Sequence, residues 1–242
     1  MASAAPAQTS PRSKSWLADF YGSAVGKKYA MAISGIVGLG YVFAHMVGNL
    51  KIYLGQESMD HYGEFLRTGL LVPIVPEHIA LWLMRLVLIA ALVIHVHAAY
   101  ALTVMNKQAR PVEYQAPRDY VVADFAARTM RWTGVIVLLF LGFHLADLTW
   151  GVEAVNPDFV RGDTYANLVA SFSRWPVSLF YILANVALGV HLYHGVWSLF
   201  QSLGLNNRRF NRLRRPLAIA FTLIVIVPNI SFPVAVLTGI VS

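Results

Sequence analysis

The stretch that decides the fold is residues 175–207, WPVSLFYILANVALGVHLYHGVWSLFQSLGLNN, which contains no Lys, Arg, Asp or Glu. A helix of about 20 mostly apolar residues crosses the hydrocarbon core of a bilayer, so this stretch is long enough to span a membrane. Four other stretches are similarly poor in charge, with only Glu77, Arg85 and Asp147 interrupting them. The pattern predicts five transmembrane helices, at about 29–54, 77–106, 128–150, 175–204 and 215–240.

The composition supports an all-α membrane protein. The chain has 242 residues, of which 57% are hydrophobic and 13% charged, whereas a soluble domain carries about 25% charged residues. We therefore predict a cytoplasmic tail at 1–28 and one transmembrane domain at 29–242, with little room left for a soluble catalytic domain. The chain has no cysteine, which excludes disulfides, covalent haem attachment, thiolate zinc sites and cysteine-ligated iron–sulfur clusters within it.

The distribution of positive charge predicts the orientation. Most of the 19 Lys and Arg residues lie in the tail, between the second and third spans, or between the fourth and fifth. Because cytoplasmic loops are enriched in Lys and Arg, we expect a cytoplasmic N-terminus and a C-terminus on the outside. The net charge of +7 is then explained by membrane topology, and we expect no nucleic-acid partner.

Histidines carry the functional signal of the sequence. Six of the eight lie in the first four predicted spans: His45, His95, His97, His144, His191 and His194. One such histidine could simply be a hydrogen-bonded core residue. Four consecutive spans that each contribute one indicate a function, because an ionisable side chain at membrane depth is costly without a partner.

Depth sorts four of these histidines into two pairs. His45 lies six residues before Lys51, which places it about 9 Å from the outer side at the helical rise per residue. His144 lies nine residues before Glu153, about 14 Å from the same side. His95 and His191 lie about 27 and 26 Å from that side. The outer pair is therefore His45 with His144, and the inner pair is His95 with His191.

Two stacked haems, each held by two imidazoles from different helices, would require this arrangement. Small residues near the candidate ligands, including Gly35, Gly38, Ala99 and Gly195, would leave room for a flat macrocycle, although ordinary helix packing also favours them. Only one of His95 and His97 can address a given haem, because residues two apart lie on opposite faces of a helix. His194 is the corresponding alternative to His191, or a group beside a quinone.

Three motifs resemble the di-haem cytochrome b membrane anchor of bacterial succinate dehydrogenase and quinol:fumarate reductase. They are HMVGN at 45–49, RWTGVIVLLFLGFH at 131–144 and HLYHGVWS at 191–198. The resemblance covers most of the first four spans in matching order. It implies that His45 and His144 ligate the outer haem iron and that His191 ligates the inner one. In the second span, the resemblance implies a histidine followed by a small residue four positions on and a basic residue twelve positions on. His95, with Ala99 and Lys107, fits this pattern and is preferred over His97.

The resemblance implies a function as the quinone-reacting subunit of succinate:menaquinone oxidoreductase in the bacterial cytoplasmic membrane. A flavoprotein (FAD) subunit would oxidise succinate, and an iron–sulfur subunit would pass electrons to the two b haems and then to menaquinone or another quinone. The succinate chemistry itself would take place outside this chain, in a complex that belongs to the respiratory chain and the tricarboxylic acid cycle.

Cations and hydroxyls near the spans are candidates for binding the haem propionates. On the inner side these candidates are Lys27, Lys28, Ser34, Arg128, Arg131 and Trp197. Arg85 lies inside the second span, where it must reach the membrane surface or meet an anion such as an outer-haem propionate or Asp147. Polar residues near the outer end are candidates for the quinone site: Glu77, His78, Arg85 and Asp147.

Other functions remain open from the sequence. The fumarate reductase direction would use the same chain, and the anchor of a nitrate reductase or a hydrogenase would use similar ligands at different spacings. A proton-coupled transporter could also use intramembrane histidines, but it predicts broken helices and repeat symmetry. The sequence fixes neither the quinone type, nor whether the quinone site is at the outer end or at the inner end near the iron–sulfur subunit, nor a higher oligomer of the complex.

Overall fold

The computed structural model describes residues 15–109, 125–205 and 207–242, and only the backbone of 125–128 and 210. Within these ranges the chain forms helices and no strand, which confirms the all-α prediction. The helices are α1 (Trp16–Gly22), α2 (Ala24–Asn49), α3 (Gln56–Glu64), α4 (Ile79–Gln108), α5 (Phe125–Leu145), α6 (Thr164–Ser173), α7 (Trp175–Ser202) and α8 (Arg208–Leu237).

Among the described residues, five segments are long and apolar enough to cross a membrane. They are Ala24–Leu54, Ile79–Gln108, Thr129–Trp150, Trp175–Ser202 and Asn211–Leu237. A 3₁₀ turn extends α2 to Leu54, and a π-helical turn extends α5 to Trp150. The five predicted spans are therefore confirmed, and the chain is a multi-pass membrane protein.

The first span begins earlier than the predicted residue 29. The Ser23 hydroxyl accepts a hydrogen bond from Gly26 N at 3.0 Å and so caps α2. Lys27 and Lys28 therefore lie within α2. A charged residue marks where a helix leaves the bilayer, whereas the capping hydrogen bond decides where the helix begins. Part of the predicted tail is thus helical in α1 and α2, while residues 1–14 lie outside the described residues.

The transmembrane helices carry their large apolar side chains on the outside. Leu83, Leu86 and Val93 of α4 are all more than half exposed, whereas Ala98 on the same helix is fully buried. This is the distribution expected in lipid, where small residues allow helices to approach and large apolar ones face acyl chains.

The first four spans form two helical hairpins. Helix α2 packs mainly against α4, and α5 packs mainly against α7. Helix α8 lies along α7, and a Cβ at Gly189 would come within 3.2 Å of the Ile226 side chain. Because α2 also touches α7, the two hairpins stand face to face.

Short helices cover one end of the bundle, which we call the outer end because the charge distribution predicts it to be outside. One oxygen of Asp60 in α3 accepts hydrogen bonds from Thr164 N at 2.8 Å and Tyr165 N at 3.0 Å. Asp163 is the N-cap of α6, and its side chain accepts a hydrogen bond from Ala166 N. Asp60 therefore ties the loop after the first span to the loop after the third.

Candidate functional site

Two histidine pairs face each other across the two hairpins. His45 of α2 and His144 of α5 have ring centroids 5.8 Å apart, with ring planes inclined at 61°. His95 of α4 and His191 of α7 have ring centroids 6.3 Å apart, inclined at 60°. The structure thus brings together the two pairs that the depth estimate predicts, each drawn from one helix of either hairpin.

The ring spacing fits a metal held between two imidazoles. Imidazole nitrogens bind metals at about 2 Å, so two rings on opposite sides of one metal have centroids about 6 Å apart. No group of three or more His, Cys, Asp or Glu that could hold a metal occurs in the described ranges. Within those ranges each pair thus offers two imidazoles, and a metal held between them would need further ligands from a cofactor.

Hydrogen bonds fix the tautomer of the inner histidines. The Ser34 hydroxyl donates to Ala30 O at 2.7 Å and lies 3.3 Å from His95 Nδ1. Because its one proton is used, Ser34 can only accept from that ring nitrogen, and Met31 O accepts from it at 3.1 Å. His95 therefore carries its proton on Nδ1 and leaves Nε2 free as a ligand.

His191, the second inner histidine, has a hydroxyl partner like that of His95. The Thr133 hydroxyl donates to the backbone one turn earlier, with Met130 O at 3.0 Å, and lies 3.4 Å from His191 Nδ1. It accepts from His191 as Ser34 accepts from His95. Histidine ligands of metals usually have the other ring nitrogen bound in this way, which fixes the ring orientation.

Two glycines make room for the inner rings. A Cβ at Gly35 would lie 3.5 Å from Cε1 of His95, and a Cβ at Gly134 would lie 3.4 Å from Cε1 of His191. A methyl group would just touch each ring, and any larger side chain would displace it. These glycines therefore let α2 and α5 pass directly beside the imidazoles of α4 and α7.

The outer histidines have two different partners. His45 Nδ1 lies 2.9 Å from the side-chain amide of Asn49, one turn along α2, and an amide can turn its oxygen to this position. His144 Nδ1 lies 3.3 Å from the hydroxyl of Tyr181 on α7. In both cases Nδ1 is engaged within the protein, and the opposite ring edge is left for a ligand.

Asp147 lies in a buried ion pair beyond the outer histidines. Its side chain is fully buried and accepts from Ser171 Oγ at 2.5 Å, Tyr181 Oη at 2.7 Å and Arg174 Nη2 at 3.1 Å. Of the two anions considered for Arg85, Asp147 is therefore paired with another cation, and the outer-haem propionate stays a prediction. Arg174 starts α7 close to the π-helical turn that holds Asp147, whereas Arg85 lies over the ring of Trp82 at 4.9 Å.

A cleft opens between α4 and α5 beside the inner pair. Its volume is about 430 Å³, and its lining is almost entirely apolar: Leu92, Val93, Val96, His97, Tyr100 and Leu138. This volume lies within the range of small-molecule sites, about 300–1,000 Å³. Leu138 belongs to α5, and the other five lining residues belong to α4.

The alternative histidines lie outside the two pairs. His97 Nδ1 is 2.6 Å from the Tyr21 hydroxyl, and its ring stacks on Tyr21 of α1. His194 lies beside Trp197, with ring centroids 5.7 Å apart. The two residues therefore occupy positions different from those of His95 and His191.

The residues predicted to bind the inner-haem propionates do not lie together but are spread over the inner side. Lys27 is buried, and its ammonium donates to Tyr21 O at 2.7 Å, which ties α1 to α2. Lys28 and Arg131 are exposed, and Trp197 lies under the guanidinium of Arg214 at 5.2 Å. The side chain of Arg128 lies outside the described residues. Ser34 is buried against His95 and not at the membrane edge.

The predicted quinone residues do not form one cluster. Glu77 and His78 are exposed in the loop before α4, where His78 has a left-handed backbone with φ 67°. Asp147 is enclosed in its ion pair. The residues that this part of the structure brings together are Asp147, Arg174, Ser171 and Tyr181.

The family comparison covers the second hairpin. Residues 125–228 match the family model of the succinate dehydrogenase/fumarate reductase transmembrane subunit. The match spans less than half of the chain, from α5 into α8, and supports the family that the histidine motifs indicate. It indicates a membrane anchor subunit of a multi-subunit oxidoreductase. Searches of curated proteins and of solved structures find no match.

The first hairpin carries a copy of the same pattern. Residues 31–45 read MAISGIVGLGYVFAH and residues 130–144 read MRWTGVIVLLFLGFH, so that both follow M-x-x-[S/T]-G-x9-H. The shared positions are those that contact the inner histidines or supply an outer one. Sequence reasoning missed Thr133 and Tyr181, and a comparison of the first span with the third would have revealed Thr133 as the counterpart of Ser34.

Proposed function

We propose that the chain is the di-haem cytochrome b anchor of a bacterial succinate:menaquinone oxidoreductase. The observation that carries this proposal is the pair of stacked histidine sites, each with two imidazoles spaced as one metal requires. The family match over the second hairpin supports the complex, and the repeated pattern extends the same argument to the first hairpin.

The chain's own residues would place two haems at two depths. His95 and His191 would bind the inner haem iron, and His45 and His144 would bind the outer one. Bound b haems would supply one-electron transfer across the bilayer between the iron–sulfur subunit and the quinone. Ser34 and Thr133 would hold the inner imidazoles in the tautomer that binds metal.

Basic residues on the inner side would serve the propionates and the partner subunits. Lys28 and Arg131 are exposed where propionates would emerge, and Arg128 remains a further candidate. Lys27 already has the Tyr21 carbonyl as its partner, so we assign it to the α1–α2 junction. The carboxylates of the propionates would form hydrogen-bonded ion pairs with these Lys and Arg side chains. An acidic docking face on a partner subunit would be attracted by the same positive charges.

Quinone chemistry would take place near the outer haem. Glu77 and His78 are exposed at the outer end and could exchange protons with water. Arg85 lies in α4, about two turns further in than this loop, where an outer propionate would be its anion. Menaquinone is the quinone that the resemblance favours.

Continuous helices disfavour the transporter alternative. Helices α2, α4 and α7 run unbroken through their spans, and α8 remains helical through Pro216, Pro228 and Pro233. Transporter sites of the kind considered above use discontinuous helices at the midplane. The runner-up is therefore another quinone-linked complex, with fumarate reduction as the reverse direction.

An optical spectrum of the purified complex tests the proposal. We expect b-type absorption bands after dithionite and a partial development of the same bands after succinate. Absence of haem would remove the ligand assignment. If dithionite reduced the haem and succinate did not, the chain would still be a cytochrome b, but its electron donor would not be a succinate-oxidising subunit.

A further inference from the structure

A chain of hydrogen bonds runs from His144 to the buried ion pair at the outer end. His144 Nδ1 lies 3.3 Å from Tyr181 Oη, which lies 2.7 Å from Asp147 Oδ2, and Asp147 Oδ1 is paired with Arg174 at 3.1 Å. Tyr181 is buried, and Asp147 is fully buried. Of this cluster, only Asp147 is a functional candidate from the sequence, as a residue near the quinone, and the two haem sites do not need the cluster for ligand number.

The direction of these bonds is determined by the donors available. An ionised carboxylate cannot donate, so the single hydroxyl proton of Tyr181 points to Asp147. The Tyr181 oxygen is then an acceptor for the Nδ1 proton of His144. The negative charge of Asp147 strengthens that acceptor, because hydrogen bonds in such a chain polarise one another in a low dielectric.

The repeated pattern shows that the other outer histidine lacks this connection. Gly48 follows His45 by three residues, as Asp147 follows His144, and Arg85 precedes His95 by ten, as Tyr181 precedes His191. His45 has the neutral amide of Asn49 as its partner. The inner histidines have neutral hydroxyls. Of the four paired histidines, His144 has a carboxylate behind its partner.

We propose that Tyr181 and Asp147 are positioning residues that make His144 an electron-rich ligand and thereby hold down the reduction potential of the outer haem. A stronger acceptor on Nδ1 raises the basicity of a histidine ligand, and a more basic axial ligand favours the oxidised iron. Arg174 opposes the effect by offsetting the charge of Asp147. The inference rests on the proposed di-haem function.

The test is a potentiometric titration of the complex, with optical and low-spin EPR detection, on the variants Tyr181→Phe and Asp147→Asn. Both variants nearly keep the side-chain shape; Tyr181→Phe removes the acceptor, and Asp147→Asn weakens it by removing the negative charge behind it. We expect each to shift the midpoint potential of one haem upward and to change the g-value of that haem's signal, with the other haem unchanged. Haem retention at that site falls by about 10–100-fold, as for other residues that support a metal ligand.

The sign of the shift separates charge from mere structure. Arg174→Gln leaves the carboxylate without its cation, so we expect its shift to be downward, opposite to that of Asp147→Asn. The matched control is Tyr165→Phe, which removes a hydroxyl at the same end that donates to Ser242 O at 3.1 Å. The control should leave both potentials unchanged.

The outcomes distinguish this inference from the proposed function. An unmodified complex without haem would overturn the proposed function. Two haems with unchanged potentials in Tyr181→Phe and Asp147→Asn would overturn the inference alone. Equal shifts of both haems, or shifts of one sign in Asp147→Asn and Arg174→Gln, would also overturn it, since a general loosening of the outer end would produce them.

Discussion

Gly134 should tolerate alanine and reject valine, because of its distance from His191. A Cβ at this position lies 3.4 Å from the ring carbon Cε1, close to the carbon–carbon contact distance of about 3.5–4.0 Å. Alanine therefore just touches the ring. It should also favour the helix by about 1 kcal/mol relative to glycine.

Valine at Gly134 places further methyl groups about 1.5 Å beyond Cβ. Its branched Cβ fills two of the three staggered directions, so avoiding the ring is difficult in a helix. The imidazole must then move by about 1 Å to restore contact distance. Metal–ligand distances vary by only about 0.2 Å in a well-formed site, so the inner haem should be lost.

The assay is the haem content per chain of the purified complex, measured as the pyridine haemochrome, with the midpoint potential of the haem that remains. We expect two haems in Gly134→Ala and one in Gly134→Val. Gly142→Val is the matched control, because a Cβ at Gly142 of the same helix meets no atom within 4 Å. Two haems in Gly134→Val, or the loss of one in the control, would refute the reasoning.

Three further predictions concern the neighbouring residues. Ser34→Ala and Thr133→Val each remove an acceptor from an inner imidazole, and should weaken inner-haem retention by about 10–100-fold, seen as haem lost during dialysis. His97→Leu should keep both haems, whereas His95→Leu should keep one, as a count of haems per chain will show. Asp60→Ala removes the acceptor for two amides of α6, and should destabilise the outer end by about 0.5–2 kcal/mol, measured as a lower Tm with haem content unchanged; an unchanged Tm would contradict the capping role.

The five spans could be predicted because charge is the dominant signal in lipid. A gap between charged residues locates a membrane helix without any knowledge of tertiary contacts. The ends of the helices were less predictable. Helix α2 begins at Ala24, before Lys27 and Lys28, with Ser23 as its N-cap. Charge reports where the bilayer ends, and hydrogen bonding decides where the helix ends.

The histidine pairs could also be predicted, because depth along a straight helix follows from residue counting. The rise per residue sorted His45 with His144 and His95 with His191 by depth, whereas the choice of His95 over His97 also needed the resemblance to the cytochrome b anchor. The hydrogen-bond partners of Nδ1 could not be obtained in this way. They depend on the rotation of neighbouring helices, which residue counting does not give.

The Asp147–Arg174 pair shows what sequence distance conceals. A cation inside a span needs an anion, so Asp147 was one candidate partner of Arg85, beside a haem propionate. No sequence pattern marked Arg174 as the partner. The π-helical turn at Ala146–Trp150 brings Asp147 to Arg174, and Tyr181 approaches from α7. Such a local change of helix type leaves no clear periodic signal in the sequence.

The most direct test of the central claim is a count of haems, with their potentials, in four single variants of the paired histidines. Replacement of His45 or His144 should remove one and the same haem, and replacement of His95 or His191 should remove the other. Loss of different haems within a pair, or full retention in any of the four variants, would contradict the assignment of two haems to two histidine pairs.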